Sequence, residues 1–285
     1  MSNNHNPLLS SAYMLVSHGS RDVRTRWAVE ELVERVSLLL ASRNIRATGV
    51  IESQKSSLPS SFSPNSQTSV TTTASMVLTN MGCPLVETGT LEFAPLPLHQ
   101  QIQQFAAEAL DTGCERIKIL PLFLLPGIHV TEDICAQIEQ ARAVFGNAIA
   151  IEQLPYLGAS NLTELCAKRL RKVEADARIL FSHGTKKLSG NKTVEEIAEQ
   201  LGATATYLSV PPLFEEKLPM LIASGQKSIA IQPYLLFEGK TMGAFEQKVM
   251  TLQTQFPQVQ LLLDRPLGAT AELATLIVEQ MLLES

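Results

Sequence analysis

The amino-acid sequence predicts an α/β protein of two homologous halves, each a parallel sheet flanked by helices, with a functional cleft between the halves. Short apolar runs alternate with segments of helical period along the chain, which is the pattern of βαβ units. The chain also repeats itself at a spacing of about one domain. With 285 residues, 45% of them hydrophobic, it is long and apolar enough to bury a core in each half.

Residues 13–17 read as a buried strand, and Ala28, Leu32, Val33, Val36, Leu39 and Leu40 follow at helix spacing. Residues 86–93 read as the next strand. Leu98, Ile102, Phe105, Ala106, Ala109 and Leu110 then form a helical stripe that Gly113 closes as a C-cap. Residues 116–125 are a second continuous apolar strand, as burial on both faces of a parallel sheet requires. A helix over 132–144, a strand over 148–154 and a helix over 161–172 complete the first half. Residues 53–75, SQKSSLPSSFSPNSQTSVTTTAS, have no sustained period and read as a disordered surface insertion.

The repeat sets the domain limits. YMLVSHGSRD from Tyr13 is matched by RILFSHGTKK from Arg178, KILPLFLLPGIHV from Lys118 by AIQPYLLFEGKTM from Ala230, and PYLGASNLTEL from Pro155 by RPLGATAELATL from Arg265. Pro121 and Pro233 are 112 positions apart and Gly158 and Gly268 are 110 apart, but His18 and His183 are 165 apart. The surplus lies between the first helix and Pro121, where the Ser/Thr-rich stretch falls. The expected organisation is a tail at 1–12, a first domain at 13–174 with its insertion at about 53–75, and a second domain at 175–285.

A net charge of −5 speaks against a dedicated nucleic-acid binder, because phosphate neutralisation needs a basic surface. Cys83, Cys114, Cys135 and Cys166 form no C-x-x-C pair for zinc or an iron–sulfur cluster, and they read as reduced thiols of a cytoplasmic protein. The opening MSNNHNPLLSSAYMLV lacks the basic region and apolar run of a signal peptide, and no stretch approaches the roughly 18 apolar residues of a membrane span.

Three strand ends carry chemistry. The first is Ser17-His18-Gly19-Ser20-Arg21-Asp22, placed where ligands bind in an open parallel sheet, beyond the carboxyl ends of the strands. Arg21, Arg24 and Arg26 make it locally basic, and Gly19 permits a tight turn. The second is the segment 121–134, in which His129 emerges at the same sheet edge, with Gly127 before it as a hinge and Asp133 one helical turn beyond. Two converging neutral imidazoles suit transient metal binding, proton abstraction, or both, whereas a lone strand-end histidine is more often structural. The third is Glu92, ahead of a proline-marked helix start. It reads either as a third member of the pocket or as a carboxylate placed by the helix macrodipole. His5 and His99 read as incidental.

The halves differ at these positions. His183 repeats His18, but Thr241, beside Lys240, stands where His129 stands, and TATYLSVPPLF has no glutamate in place of Glu92. The expectation is one active site, in the first half, with the second half closing the cleft and contributing His183, Lys186, Lys187 and Lys240.

LVSHGSRD at 15–22, LEFAPLPL at 91–98 and PLFLLPGIHVTEDI at 121–134 together resemble the class II chelatases of the sirohydrochlorin chelatase family, in the long form of two fused halves. Cys135 stands where that family has proline after the Asp-Ile pair, and no histidine-rich tract or C-terminal Cys-x-x-Cys accompanies the motifs. The resemblance implies two chelatase-like, Rossmann-like domains and insertion of Fe²⁺ or Co²⁺ into sirohydrochlorin. His18, His129 and Glu92 would be catalytic, and His18 and His129 would hold the metal. Ser17, Gly19, Ser20, Arg21, Gly127, His183 and Lys240 would contact the substrate. No permanent cofactor is implied, since the metal is a substrate. The partners are the tetrapyrrole and the ion, without nucleic acid or membrane, and fused halves imply a monomer. A non-catalytic carrier of metal or tetrapyrrole is the alternative. A fainter one is a histidine-phosphatase-like enzyme, whose Arg-His-Gly has Ser17 in place of the arginine.

Overall fold

A computed structural model describes residues 10–47, 84–160, 162–186 and 188–283. The expected insertion at 53–75, most of the expected tail, His5, Cys83 and Lys187 lie outside the described residues. The first half runs β1 (Ser11–Ser17), α1 (Val23–Ala47), β2 (Val86–Thr90), α2 (Leu98–Asp111), β3 (Arg116–Pro121), a π-helical turn (His129–Asp133) that leads into α3 (Ile134–Phe145), β4 (Ala150–Gln153) and α4 (Thr163–Leu170). The second runs β5 (Ala177–Ser182), α5 (Leu188–Gln200), β6 (Thr204–Tyr207), α6 (Phe214–Ala223), β7 (Ser228–Tyr234), α7 (Lys240–Gln255), β8 (Gln260–Leu263) and α8 (Ala271–Leu283).

The strands form two four-stranded parallel sheets of the same topology, β2-β1-β3-β4 and β6-β5-β7-β8. Every residue of β1 is buried, as expected of a central strand covered on both faces. In each sheet the chain moves to one side of the first strand and then to the other. The crevice of the first sheet therefore opens between the ends of β1 and β3, and that of the second between β5 and β7.

Alternation along the strands divides the core into three layers. Met14, Val16, Ile117 and Ile119 face α2 and α3 in an outer core of the first half. Ile179, Phe181, Ile229 and Ile231 do the same against α6 and α7 in the second. Between the sheets lies a core shared by both halves, where Tyr13, Leu15 and Leu120 of one sheet join Leu180 and Tyr234 of the other through α1, α4, α5 and α8. Each fully buried Leu or Ile contributes about 1.5–3 kcal/mol, so this layer ties the halves together through a common core.

The final helices of the two halves are exchanged. α4 packs on β7 of the second sheet, and the Arg169 guanidinium donates to the carbonyls of Arg265, Pro266 and Leu267. α8 packs on α1 of the first half, and the Gln280 amide donates to the Pro155 carbonyl at 2.6 Å.

Two elements are shorter than their apolar runs. β3 ends at Pro121 rather than at 125: Leu122 N–H makes the last bond to β1, at Val16 O, and Leu122 and Leu124 then enter the central core without strand pairing. β2 ends at Thr90 rather than at 93, and the chain bends through 91–96 before α2.

Candidate active site

β1 and β2 bring His18 and Glu92 together by continuing their register past the strand ends. Leu91 N–H donates to Ser17 O at 3.0 Å and Glu92 N–H to His18 O at 2.9 Å. Gly19 makes this possible: its φ is +91°, and a Cβ there would lie 2.0 Å from the Glu92 carbonyl oxygen. The His18 Nε2 stands 3.9 Å from Glu92 Oε1, with about half of each side chain exposed. Glu92 is not a helix-terminal carboxylate, since α2 begins at Leu98 with Pro97 as its cap.

His129 comes from the neighbouring strand end. Gly127 O accepts from the Val130 and Thr131 amides at 3.1 and 3.2 Å, starting the turn that the Ile134 amide closes onto His129 O. Such single π turns recur at functional sites. Here the turn points the imidazole at His18: the two ring centroids are 4.8 Å apart at 81°, an edge-on pair across the β1/β3 crevice.

Each ring has one nitrogen committed. His129 Nδ1 is 2.7 Å from Asp133 Oδ2, and a carboxylate accepts the Nδ1 proton, leaving Nε2 to serve as base or ligand. His18 Nδ1 faces Gly19 O at 3.4 Å, which likewise turns Nε2 toward Glu92. Among the described residues no group of three or more His, Cys, Asp or Glu side chains is arranged to hold a metal ion. The arrangement is a pair of imidazoles with a carboxylate beside it.

A cavity of about 400 Å³ is lined from both halves, by Gly19, Ser20, Arg21 and Phe93 of the first and His183 and Lys240 of the second; it reaches the pair through Gly19 and Phe93, the neighbours of His18 and Glu92, which with His129 do not line it themselves. The Thr25 hydroxyl donates to Glu238 O at 2.7 Å and pins the two lips together. Arg24 is tied to Asp22, and their hydrogen bonds hold the Asp22 carboxyl below its ordinary range. Burial, together with the charge of Glu246, pushes the Glu238 carboxyl up.

Two expected substrate contacts stand elsewhere. Ser17 is buried at the end of β1, and Gly127 sits in the loop that starts the π turn; neither lines this cavity. A larger cavity of about 750 Å³ lies between α1, α4, α7 and α8 and mixes Lys168 and Arg265 with Glu31 and Glu246; neither cavity is lined by His18 or His129 themselves. His99 bonds Gln137 at 2.9 Å and takes no part in the His18–His129 pair.

Asp133 and Phe93 also stand beside the paired histidines. Asp133 was within reach of sequence reasoning, since a carboxylate four residues after a histidine shares its helix face. Phe93 carried no such signal.

The site's histidines and its two-sheet frame can be set beside known proteins. A family model described as CbiX matches residues 60–173 and again 177–282. The chain belongs to the CbiX family. Glu92 and His129 fall within the first match, whereas β1 and His18 precede it and join the site through the sheet. The CbiX-family chain is 23% identical over 192 residues to the sirohydrochlorin ferrochelatase of Priestia megaterium, covering 63% of this chain and 71% of that protein. It is 24% identical over 212 residues to the sirohydrochlorin cobaltochelatase of the same organism, covering 69% and 68%. Among solved structures, SirB from Bacillus subtilis with Fe³⁺ superimposes with a TM-score of 0.67 at 19% identity, covering 95% of this chain and 94% of that one. This likeness shows the shared two-sheet fold.

Proposed function

We propose that this chain is a sirohydrochlorin chelatase, inserting a divalent metal ion into the tetrapyrrole. The observation that carries this reading is the edge-on His18–His129 pair with Glu92 beside it, next to a cavity that Gly19 and Phe93 line together with residues of the second half. Metallation exchanges two pyrrole N–H protons and the metal's water or protein ligands for metal–nitrogen bonds. It needs a weak perch, because a tight tetrahedral site would retain the ion. His18 and His129 serve as perch and base, each with Nε2 directed into the site, and Glu92 accepts a proton or steadies the ion on its other side. Both Fe²⁺ and Co²⁺ suit imidazole and carboxylate donors, and the curated relatives divide between the two by name.

Sirohydrochlorin is a polycarboxylate. Arg21 and Lys240 on opposite walls, with Ser20 and His183, are placed to receive its anionic arms. In this reading the domains are 13–174 and 175–285 after a tail at 1–12, the protein acts as a cytoplasmic monomer, and it needs no resident cofactor. Among the described residues no helix is long and apolar enough to cross a membrane.

The test is an anaerobic assay of the purified full chain with sirohydrochlorin and Fe²⁺, Co²⁺ or Ni²⁺ in turn, following the macrocycle spectrum. Acceleration over the protein-free rate with at least one metal is expected. Binding of the macrocycle without acceleration would make the protein a carrier instead.

A further inference from the structure

Phe93 is the one described non-glycine residue in the left-handed backbone region, with φ at 61°. The strain has a local cause. The Glu92 amide is tied to His18 O and its carbonyl abuts Gly19, so the chain must turn sharply at the next residue to leave the sheet. A glycine would make that turn without strain, yet the position carries a bulky ring. Nor is the ring there to fill a core. Phe93 is 53% exposed and belongs to none of the three hydrophobic clusters. It faces the cleft instead. Its ring centroid is 6.3 Å from that of His18, the Arg21 guanidinium carbon lies 5.0 Å from it, and both Phe93 and Arg21 line the cavity opposite His183 and Lys240. The second half lacks this device. Ser209, whose amide bonds His183 O as that of Glu92 bonds His18 O, is followed by Val210, which packs over Gly184.

We infer that Phe93 and Arg21 form one wall of the tetrapyrrole site and determine its selectivity for the macrocycle. The phenyl ring meets the apolar ring system, and the guanidinium held against it meets a carboxylate arm. The inference rests on the chelatase reading and adds to it a contact for the macrocycle that is separate from the metal perch. Strained backbone with an exposed aromatic ring beside paired histidines is the juxtaposition that carries it.

The test titrates metal-free sirohydrochlorin into the full chain by its absorbance, then measures metallation with macrocycle and metal varied separately. Phe93→Ala and Phe93→Gly should each weaken macrocycle binding about tenfold. Phe93→Tyr should bind within about twofold of the parent, and the KM for the metal ion should stay put in all three. Because glycine relieves the positive φ, Phe93→Gly also keeps the turn and the fold. Its binding the macrocycle as tightly as the parent protein would reduce Phe93 to a turn residue and overturn the wall. A rise in metal KM equal to that for the macrocycle would place Phe93 at the perch and also overturn it. Failure of the parent protein itself to bind or metallate sirohydrochlorin would instead remove the chelatase reading, and the wall's ligand with it.

Discussion

At matching strand ends the two halves carry the same backbone and different chemistry. His18 and His183 both follow the first strand of their sheet and turn Nδ1 toward the next carbonyl, at 3.4 and 3.0 Å, and each precedes a glycine of positive φ. The amide bond that places Glu92 on His18 recurs between Ser209 and His183. Beyond that point they part. Glu92 becomes Ser209, whose hydroxyl turns back to the His183 carbonyl at 2.8 Å. His129, oriented by Asp133, becomes Thr241, and the residue at the repeat position of Asp133 is Phe245, buried in the outer core against Phe181. A duplicated frame preserves the loop geometry through backbone bonds and glycine, while the set proposed to be reactive rests on a few side chains that the second half lacks.

The largest expected contrast lies between the histidines. His129→Ala and His18→Ala should each lower the metallation kcat by about a hundredfold or more, the low end for a positioned acid–base group, with little change in Tm since both side chains sit in the cleft. His183→Ala should raise the KM for the macrocycle and keep most of kcat. Equal collapse of kcat in all three, measured at saturating metal and tetrapyrrole, would mean that both halves act on one ion and would end the single-half assignment.

Asp133→Asn should cost about 10- to 100-fold in metal affinity or rate, the range for groups that orient a ligating histidine, although Asp133 need not touch the substrate. Rates with the ion varied at saturating macrocycle check this, and a variant equal to the parent would detach Asp133 from His129.

A smaller contrast concerns the glycines. Gly19→Ala and Gly184→Ala should each destabilise by about 1–3 kcal/mol in denaturant unfolding, from positive φ and close neighbours. Only Gly19→Ala should also lose turnover, because the added Cβ displaces Glu92; loss of turnover in both would tie the second loop to the chemistry.

The smallest effect expected is no gain at all. Ser209→Glu combined with Thr241→His restores two residue types to the second half but leaves Phe245 where an orienting carboxylate would stand. Turnover should stay within about twofold of the parent, and a doubled or greater rate would show that orientation matters less than the distances here imply.

The positions of β1 and β3 were legible in the sequence because a strand buried on both faces must be continuously apolar. His18, Glu92 and His129 were legible for the complementary reason: polar groups at the ends of such runs stand at the edge where a parallel sheet offers its crevice. Apolar runs report burial and not pairing, so the end of β3 was overextended; Leu122 and Leu124 are buried by packing after the strand has stopped. The exchange of α4 and α8 between the halves left no trace in their periodicity, because an apolar stripe is the same whichever half it covers. The strained turn at Phe93 was equally hidden, since it follows from Glu92 being held against His18 and Gly19 by bonds between segments more than 70 residues apart. Local patterning by itself determined the repeated βαβ frame and the residue types at its crevices. The central core shared by both halves, the edge-on approach of the two imidazoles and the closing of a cavity by loops from both halves were decided only by tertiary packing, because each depends on distances between segments that no local pattern encodes.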